Sequence, residues 1–287
     1  NKDIEKIPAE KNTFGKGSGN ADRSQNKRDH VKAPGEYAKI MLPELTFPYL
    51  IPGQEVLLDD GKIHLKIVEK AENVTENGGE NTQEKRYFAK VLWGGLLKSR
   101  KSAALPGAKI YPPTLTNSDL ANIKIAKEMG VTGVMQPFVR DHSDLECVKE
   151  ALREAGAEDI RLFAKIENMD GVRKLEKLLP AADEIVIARG DLGNAVHLWD
   201  LPGVQRQISE KCRAAGKPFM VVTQMLASME RSPVPTRAEV NDIFHAVMDG
   251  AASIMVTGET AVGDYPVEVI RYMVNTVRSA EKKKIDK

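Results

Sequence analysis

The chain has 287 residues, of which 29% are charged and 41% are hydrophobic, and its formal net charge is +1. Because that balance is near neutral, nothing draws the chain to nucleic acid or to a membrane surface, and we expect neither as a partner. Only two cysteines are present, which does not imply a disulfide framework and favours a reducing compartment. We expect a globular cytoplasmic protein with one large domain or two smaller ones.

The first 35 residues are rich in Lys, Asn, Gly and Asp and contain few apolar side chains. They show no hydrophobic period, and such a composition buries too little apolar surface to become ordered. We therefore predict a mobile, polar segment over residues 1–35.

Short strands are predicted in the next segment. In Glu55–Val68 an Asp-Gly turn separates two apolar stretches, which is a good hairpin signal. Another strand is predicted over Tyr87–Trp93, just before two glycines. This pattern indicates a small β domain. The basic stretch Lys98–Lys101 follows, and its cations either face a nucleotide phosphate or form a solvated turn; the residues alone do not separate these interpretations.

From residue 117 onward, apolar runs alternate with segments whose apolar positions recur every three or four residues. A repeat of roughly 25–35 residues is typical of βα units around a parallel sheet. Ser143 and Glu146 predict a capping box for one helix, and Thr236 and Glu239 predict another. The predicted strands are Val131–Gln136, Ile160–Ile166, Glu184–Ala188, Phe219–Thr223 and Ser253–Thr257. The predicted helices are Asn117–Met129, Ser143–Ala155, Gly171–Leu179, Val204–Ala215, Arg237–Met248 and Pro266–Ala280.

These predictions give five βα units, whereas a closed (β/α) barrel has eight and takes about 250 residues. Five units and a β domain do not close a barrel by themselves. The residues therefore leave two possibilities: an open sheet, or a barrel of which three strands are absent from this chain.

Charged and polar side chains end one predicted strand after another. Lys165 and Glu167 end the second strand, Arg189 and Asp191 follow the third, and Thr223 ends the fourth. The carboxyl ends of parallel strands share one edge, where ligands bind. Two carboxylates from adjacent strands suit a hard cation such as Mg²⁺ beside a phosphorylated substrate. A solvated ion pair explains either strand end alone, but the repetition favours a site.

Longer motifs run through the same part of the chain. They include Ala164-Lys165-Ile166-Glu167-Asn168, Ala188-Arg189-Gly190-Asp191-Leu192-Gly193, Thr223-Gln224-Met225-Leu226, Thr236-Arg237-Ala238-Glu239 and Gly258-Glu259-Thr260-Ala261. In content, order and spacing this set resembles the pyruvate kinase family. The resemblance covers roughly residues 50–280, and the motifs together are highly specific.

The resemblance implies an α/β fold: a partial (β/α)8 TIM-type barrel, with units 4–8 in residues 111–287. It also implies a small β-barrel-like inserted domain, to which residues 36–110 would belong. The implied activity is Mg²⁺- or Mn²⁺-dependent phosphoryl transfer from phosphoenolpyruvate to ADP, giving pyruvate and ATP in glycolysis. The complete protein is expected to be a homo-oligomer.

The resemblance also implies roles for individual residues. Lys165 would stabilise charge on the phosphoryl group during transfer, and Glu167 and Asp191 would hold the divalent cation. The backbone at Gly190 and Asp191 would bind the substrate together with Thr223. Thr223 would also lie near the proton path to the enolate, so it is expected to be catalytic with Lys165.

Other positions either extend the resemblance or depart from it. Lys101 matches a position that contacts nucleotide phosphate. The family's first three barrel strands carry ligands for phosphate and for a monovalent cation, and residues 1–50 contain no matching motif; K⁺ is therefore possible, with its usual ligands outside the matched part. The family's C-terminal regulatory domain has no counterpart either. Gln136-Pro137 replaces the usual small-Ser pair before Phe138.

Two other functions fit parts of this pattern. A Mg²⁺-dependent aldolase or lyase acting on a pyruvate enolate would also hold its metal with Glu and Asp from neighbouring strands. The unmatched strands raise a further alternative, an inactive truncated homologue. The stretch Lys165-Ile166-Glu167, taken with Thr223-Gln224-Met225-Leu226, favours the kinase.

Overall fold

The computed structural model describes residues 5–6, 38–71, 86–99 and 101–285. The chain divides into two compact units, Asn1–Ile110 and Tyr111–Lys287. Of the segment predicted to be mobile, residues 1–35, only the strand β1 (Glu5–Lys6) is described; the rest lies outside the described residues. No helix in the described ranges is both long and apolar enough to cross a membrane.

The first unit is built on antiparallel strands around a small apolar core. Its larger sheet has the order β4-β3-β2-β6, and β5 pairs with β1. The core is formed by Leu50, Val56, Leu58, Ile63, Leu65, Ile67 and Leu105. The elements are a 3₁₀ helix over Glu44–Tyr49 and the strands β2 (Glu55–Leu58), β3 (Ile63–Lys70), β4 (Tyr87–Trp93), β5 (Leu96–Leu97) and β6 (Ala103–Ala104).

The predicted hairpin is confirmed in this unit. β2 and β3 pair antiparallel, and the turn between them contains Asp59, Asp60 and Gly61 at φ values of 50°, 56° and 82°. Left-handed backbone of this kind is tolerated by Gly and Asp, which explains why the Asp-Gly signal marks the turn.

The second unit contains a five-stranded parallel sheet with helices between its strands. The order is β11-β10-β9-β8-β7, so each strand lies beside its neighbour in sequence. Its strands are β7 (Gly133–Gln136), β8 (Arg161–Ile166), β9 (Glu184–Ala188), β10 (Phe219–Val222) and β11 (Ser253–Met255). Its helices are α1 (Asn117–Ala126), α2 (His142–Glu154), α3 (Met169–Arg173), α4 (Leu175–Leu178), α5 (Arg189–Ala195), α6 (Leu201–Ala214), α7 (Arg237–Met248), α8 (Gly258–Ala261) and α9 (Pro266–Ile285), with a 3₁₀ helix over Ala227–Glu230.

The two faces of this sheet carry different apolar clusters. Alternate strand residues such as Leu162, Ile185 and Val221 join the helices in the main core. The intervening residues form a smaller cluster on the opposite face, made of Val186, Ala188, Met220 and Val222 with Phe163 and Met255 packed against it. Every residue of β9 and β10 is buried, as expected for central strands of a parallel sheet. The sheet is not closed: β7 and β11 are its two end strands.

Several predicted helix bounds differ from the structure: α1 ends at Ala126 and not at Met129, α6 begins at Leu201 and not at Val204, and α9 continues beyond Ala280 to Ile285. Two further predictions are wrong. Helix α2 begins at His142, and its cap is Asp141, whose side chain accepts a hydrogen bond from the Ser143 backbone N–H. Ser143 lies inside the first turn, so Ser143 and Glu146 do not form a capping box. The predicted helix over Gly171–Leu179 is two short helices, α3 and α4, with Lys174 between them. By contrast, the capping box of Thr236 and Glu239 is present.

Candidate active site

Except for Lys101, which belongs to the first unit, the predicted site residues lie at the carboxyl ends of three adjacent strands, β8, β9 and β10. Lys165 is the second-last residue of β8, and Glu167 follows that strand directly. Ile166 pairs in register with Ile187 of β9, so Glu167 and the start of α5 lie on adjacent strands. Asp191 lies in the first turn of α5 and is half-buried. Thr223 follows the next strand, β10.

Lys165 and Glu167 form the central ion pair of this edge. The Lys165 Nζ lies 2.7 Å from Glu167 Oε1, and the two side chains are 25% and 2% exposed. The second carboxylate oxygen, Oε2, accepts a hydrogen bond of 2.8 Å from the Phe138 backbone N–H. Hydrogen bonds to a charged acceptor are strong, so this carboxylate is held firmly although it is buried.

Phe138 has the unusual φ of 52°. A bulky residue in left-handed backbone is strained, and such strain is typical of functional sites. The conformation accompanies the hydrogen bond from the Phe138 N–H to Glu167. Sequence reasoning missed this contact because the group that makes it is a backbone amide, which no side-chain pattern reports.

The loop after β8 is tied to the loop after β7 by Asn168. Its Oδ1 accepts from the Gly171 N–H at 2.8 Å and caps α3, while its Nδ2 donates to the Val139 carbonyl at 3.1 Å. Gly171 is required here, because a Cβ on it would lie 2.6 Å from the Val139 carbonyl oxygen. The backbone that carries Glu167 is thus fixed on both sides.

Arg189 does not point its guanidinium freely into the site. Its Nη1 donates to both carboxylate oxygens of Asp242, at 2.8 and 2.6 Å. Its Nη2 donates to the Thr223 carbonyl at 2.8 Å and also contacts Met225 Sδ. Of the predicted site residues, Arg189 thus contacts Thr223, and its contacts hold the loop after β10. Asp242 was missed because it lies within α7, 53 residues farther along the chain.

Thr223 and Gln224 have φ values of 76° and 54°. Left-handed backbone is costly for a β-branched residue, by about 1–3 kcal/mol. The Thr223 hydroxyl donates to the Val222 carbonyl at 2.5 Å. A Cβ placed on Gly190 would lie 3.6 Å from Thr223 Cγ2, which is an ordinary contact. The structure therefore brings Thr223 and Gly190 together, and packing alone does not require glycine at position 190.

Lys101 belongs to the first unit and pairs with the hairpin turn. Its Nζ lies 2.9 Å from Asp59 Oδ1, and Lys62 lies 3.4 Å from the other carboxylate oxygen. Burial alone raises the pKa of Asp59, but the hydrogen bonds and charges of Lys101 and Lys62 outweigh it and lower that pKa below its usual value. The Lys101 side chain is 38% exposed.

A polar cleft of about 320 Å³, lined by loops after β7 and β8 and by Tyr111, was not predicted. Its basic side chains have acidic partners: Arg140 with Asp144 at 2.5 Å, and Lys174 with Asp141 at 3.2 Å. Burial alone raises the pKa of Asp144, but hydrogen bonds from Arg140 and Thr114 outweigh it and lower the pKa to about 2.

The described residues contain no group of three or more His, Cys, Asp or Glu side chains arranged as metal ligands. Two carboxylates that follow adjacent strands, Glu167 after β8 and Asp191 after β9, are the candidate pair. Mg²⁺ is usually held by one or two carboxylates, with waters and substrate phosphates completing its six ligands. Lys165 and the Phe138 N–H each contact one carboxylate oxygen of Glu167. Because each oxygen has a second lone pair, the carboxylate can still bind a metal ion. The donor set therefore fits this ion.

Comparison with known proteins identifies close family relationships. The family description "Pyruvate kinase, barrel domain" matches residues 25–270. The pyruvate kinase of Geobacillus stearothermophilus is 40% identical over 233 residues, covering 80% of this chain and 38% of that protein. The pyruvate kinase of Bacillus licheniformis is 38% identical over 229 residues, covering 80% of this chain and 37% of that protein. The pyruvate kinase of Chlamydia trachomatis is 34% identical over 242 residues, covering 84% of this chain and 47% of that protein. The chain thus spans less than half the length of these relatives.

Proposed function

Because the chain belongs to the pyruvate kinase family, we propose that it takes part in phosphoryl transfer from phosphoenolpyruvate to ADP. The products are pyruvate and ATP. The observation that carries the proposal is the ion pair of Lys165 with the buried Glu167 at the carboxyl end of β8, with Asp191 in the helix that follows the adjacent strand, β9. Phosphoryl transfer depends on positioned charge more than on covalent chemistry, and this arrangement supplies positioned charge.

Glu167 and Asp191 are the residues that would hold Mg²⁺ or Mn²⁺. When bound, the ion supplies positive charge that neutralises the phosphate and the developing enolate. The buried Glu167 is suited to the role because Phe138 and Lys165 fix both of its oxygens. Its orientation is therefore set before any ligand arrives.

Lys165 is proposed to stabilise the phosphoryl group as it moves from one oxygen to another. Its ammonium has three N–H donors, of which Glu167 accepts one at 2.7 Å. The remaining donors can meet phosphoryl oxygens, where negative charge is shared in the transition state. Holding the ammonium against a rigid carboxylate reduces the reorganisation that the reaction requires.

Thr223 and Gly190 are proposed to face the substrate. The backbone at Gly190 and Asp191 would donate to substrate oxygens, and the Thr223 hydroxyl would lie near the carbon of the enolate that receives a proton. The left-handed conformation of Thr223 supports this role, because strain of this kind is kept where the site requires it. Lys101 is proposed to contact the phosphates of ADP.

The finer description of the fold belongs to the same proposal. Residues 111–287 would supply units 4–8 of an eight-unit barrel, and residues 36–110 would belong to the inserted β domain. Three further βα units would then close the sheet between β11 and β7. The complete enzyme would be a cytoplasmic homo-oligomer, and any K⁺ would be bound mainly by residues of those further units.

A coupled assay tests the proposed reaction. The chain is incubated with phosphoenolpyruvate, ADP and Mg²⁺, and pyruvate is measured through its reduction to lactate. We expect pyruvate formation that requires both ADP and the metal and that Lys165→Ala slows at least about 100-fold. Turnover of an oxo acid without nucleotide would instead support the aldolase or lyase, and turnover unaffected by Lys165→Ala would refute the site.

A further inference from the structure

The loop that follows β10, Thr223–Leu226, is held by a buried carboxylate from the neighbouring strand end. We propose that Glu259 is a positioning residue, which keeps this loop in its left-handed conformation and so places the Thr223 side chain beside Gly190. This inference rests on the proposed function, in which Thr223 faces the substrate. Glu259 itself contacts neither Thr223 nor any group assigned to the substrate.

Glu259 joins two backbone segments. Its Oε1 accepts a hydrogen bond of 3.1 Å from the Leu226 N–H, and its Oε2 accepts one of 2.8 Å from the Thr257 N–H. The residue is 2% exposed. One carboxylate thus connects the loop after β10 with the segment after β11, which are adjacent strands of the sheet.

A buried carboxylate is costly unless its oxygens are satisfied. None of the ion pairs formed by the described residues includes Glu259, so backbone amides satisfy it instead. An apolar residue would fill the same space without this cost. The carboxylate is therefore explained by the two amides that it holds, and one of them belongs to the loop that carries Thr223.

The loop needs such support because two consecutive residues in it are strained. Thr223 and Gln224 both have positive φ, and the two that follow, Met225 and Leu226, are fully buried. Strain of this kind persists only when surrounding contacts fix the backbone. Arg189 holds the first residue of the loop through the Thr223 carbonyl. Glu259 holds the last residue, so the strained pair is fixed at both ends.

Glu259→Gln tests the inference with little change in shape. An amide group offers one acceptor and one donor end, so one of the two backbone N–H groups loses its partner. The matched control is Glu184→Gln. Glu184 is also buried, at 5% exposure, and bonds to Ser253 and Arg161, but it begins β9 at the opposite end of the strands.

The first measurement is made by NMR on the full chain without ligands. In Glu259→Gln we expect hydrogen exchange of the Leu226 or the Thr257 backbone amide to accelerate at least about 10-fold, because that amide loses its hydrogen bond to a charged group. We also expect the Cα chemical shifts of Thr223 and Gln224, which report φ and ψ, to move. Glu184→Gln should change neither the exchange rates of these amides nor the Cα shifts of Thr223 and Gln224. Unchanged shifts and exchange in Glu259→Gln would overturn the inference whether or not the chain turns over substrate.

The second measurement separates positioning from a general loss of stability. We expect Glu259→Gln to lower kcat at least about 10-fold with a smaller change in KM for phosphoenolpyruvate. In a Thr223→Ala background the same substitution should lower kcat less than about 2-fold. The reason is that the effects of two substitutions do not add when one residue acts through the other. If Glu259→Gln lowered kcat by the same factor in the unmodified chain and in Thr223→Ala, the inference would be overturned.

The two arms also keep this inference apart from the proposed reaction. Absence of turnover in the unmodified chain counts against the reaction, while the NMR arm still decides the role of Glu259. If Glu259→Gln does not fold, Glu259→Asp replaces it: the charge is retained, but the shorter side chain cannot reach both amides. The same shifts of Thr223 and Gln224 are then expected, and their absence would refute the inference.

Discussion

At the residue scale, the proposed site depends on a lysine at the end of β8 and on the glutamate that directly follows this strand. The sequence places both residues at the carboxyl end of a predicted strand, where side chains of a parallel sheet gather around a ligand. In the structure Lys165 Nζ lies 2.7 Å from Glu167 Oε1. The sequence did not predict the Phe138 amide or Asp242, because a backbone donor and a distant helix position leave no local pattern.

Lys165→Ala tests the transition-state role. We expect kcat to fall at least about 100-fold with little change in the affinity for Mn²⁺, since the lost contact acts mainly on the moving phosphoryl group. Lys174→Ala is the control, because Lys174 pairs with Asp141 at an exposed position. Steady-state kinetics and Mn²⁺ titration give both quantities. A comparable loss of kcat in the control would contradict the assignment.

Gly190→Ala separates function from packing at the substrate-binding turn. Gly190 lies in α5, and a Cβ there makes only ordinary contacts, so we expect unfolding free energy to rise by about 0.5–1 kcal/mol. The KM for phosphoenolpyruvate should nevertheless rise at least about 10-fold, because the methyl group occupies the space proposed for substrate.

The control for this change is Gly203→Ala. Gly203 lies in α6, and a Cβ there meets no atom within 4 Å. We expect the same gain in stability from urea unfolding and an unchanged KM. An unchanged KM in Gly190→Ala as well would remove the backbone at this turn from the substrate site.

At the element scale, most strands and helices follow from hydrophobic period and turn residues. β4 and β9 have their predicted bounds, and the other strands of the parallel sheet differ by one or two residues. The start of α2 differs because Asp141, and not Ser143, is the N-cap. Asp141 is extended, at φ −161° and ψ −178°, which suits an N-cap, and its side chain accepts a hydrogen bond from the Ser143 N–H. This cap was missed because a pattern of residue types does not show backbone angles.

The cap of α2 can be tested by unfolding. We expect Asp141→Ala to lower the unfolding free energy by about 1 kcal/mol, as loss of an N-cap does. Glu146→Ala should change it by less than about 0.5 kcal/mol, because its pairs with His142 and Lys149 are exposed. Urea titrations at neutral pH measure both. The reverse order would restore the capping box predicted from Ser143 and Glu146.

Asp144 gives the same region a pH dependence. Its folded pKa of about 2 lies below its usual 3.8, which corresponds to about 2 kcal/mol of stability. That stability is present above the unfolded pKa and is lost as pH falls through about 2. We expect about 1 kcal/mol of it to be lost by pH 3.

Urea unfolding at pH 6 and pH 3 checks this expectation against Asp144→Asn. The variant should be less stable at pH 6, because Arg140 loses a charged partner. Its stability should fall about 1 kcal/mol less between the two pH values than that of the unmodified chain. An equal loss of unfolding free energy between pH 6 and pH 3 in both proteins would show that the Asp144 carboxylate does not titrate as its contacts indicate.

At the scale of the whole molecule, the strand count and the length of the relatives lead to the same expectation. The sheet has five strands and two unclosed ends, and the chain spans 37% to 47% of its three compared relatives. The sequence predicted the five units, but a strand count alone did not separate an open sheet from part of a barrel. Family membership makes part of a barrel the better interpretation, because the family description is of a barrel domain.

Complementation tests this interpretation. A segment carrying the first three βα units of a relative's barrel is co-expressed with the chain, and both are purified together. We expect one-to-one association and at least about 10-fold higher kcat than for the chain alone, because positioned ligands are added to the site. A scrambled segment of equal composition is the control. Association without any gain in activity would count against a completed site.

The proposed function requires that Glu167 and Asp191 hold a divalent cation. The most direct test is Mn²⁺ titration, followed by electron paramagnetic resonance, of the unmodified chain, Glu167→Gln, Asp191→Asn and the control Glu184→Gln. We expect one Mn²⁺ site, with Kd raised at least about 10-fold in each of the two site variants and unchanged in the control. Equal Kd in all four proteins would contradict the claim.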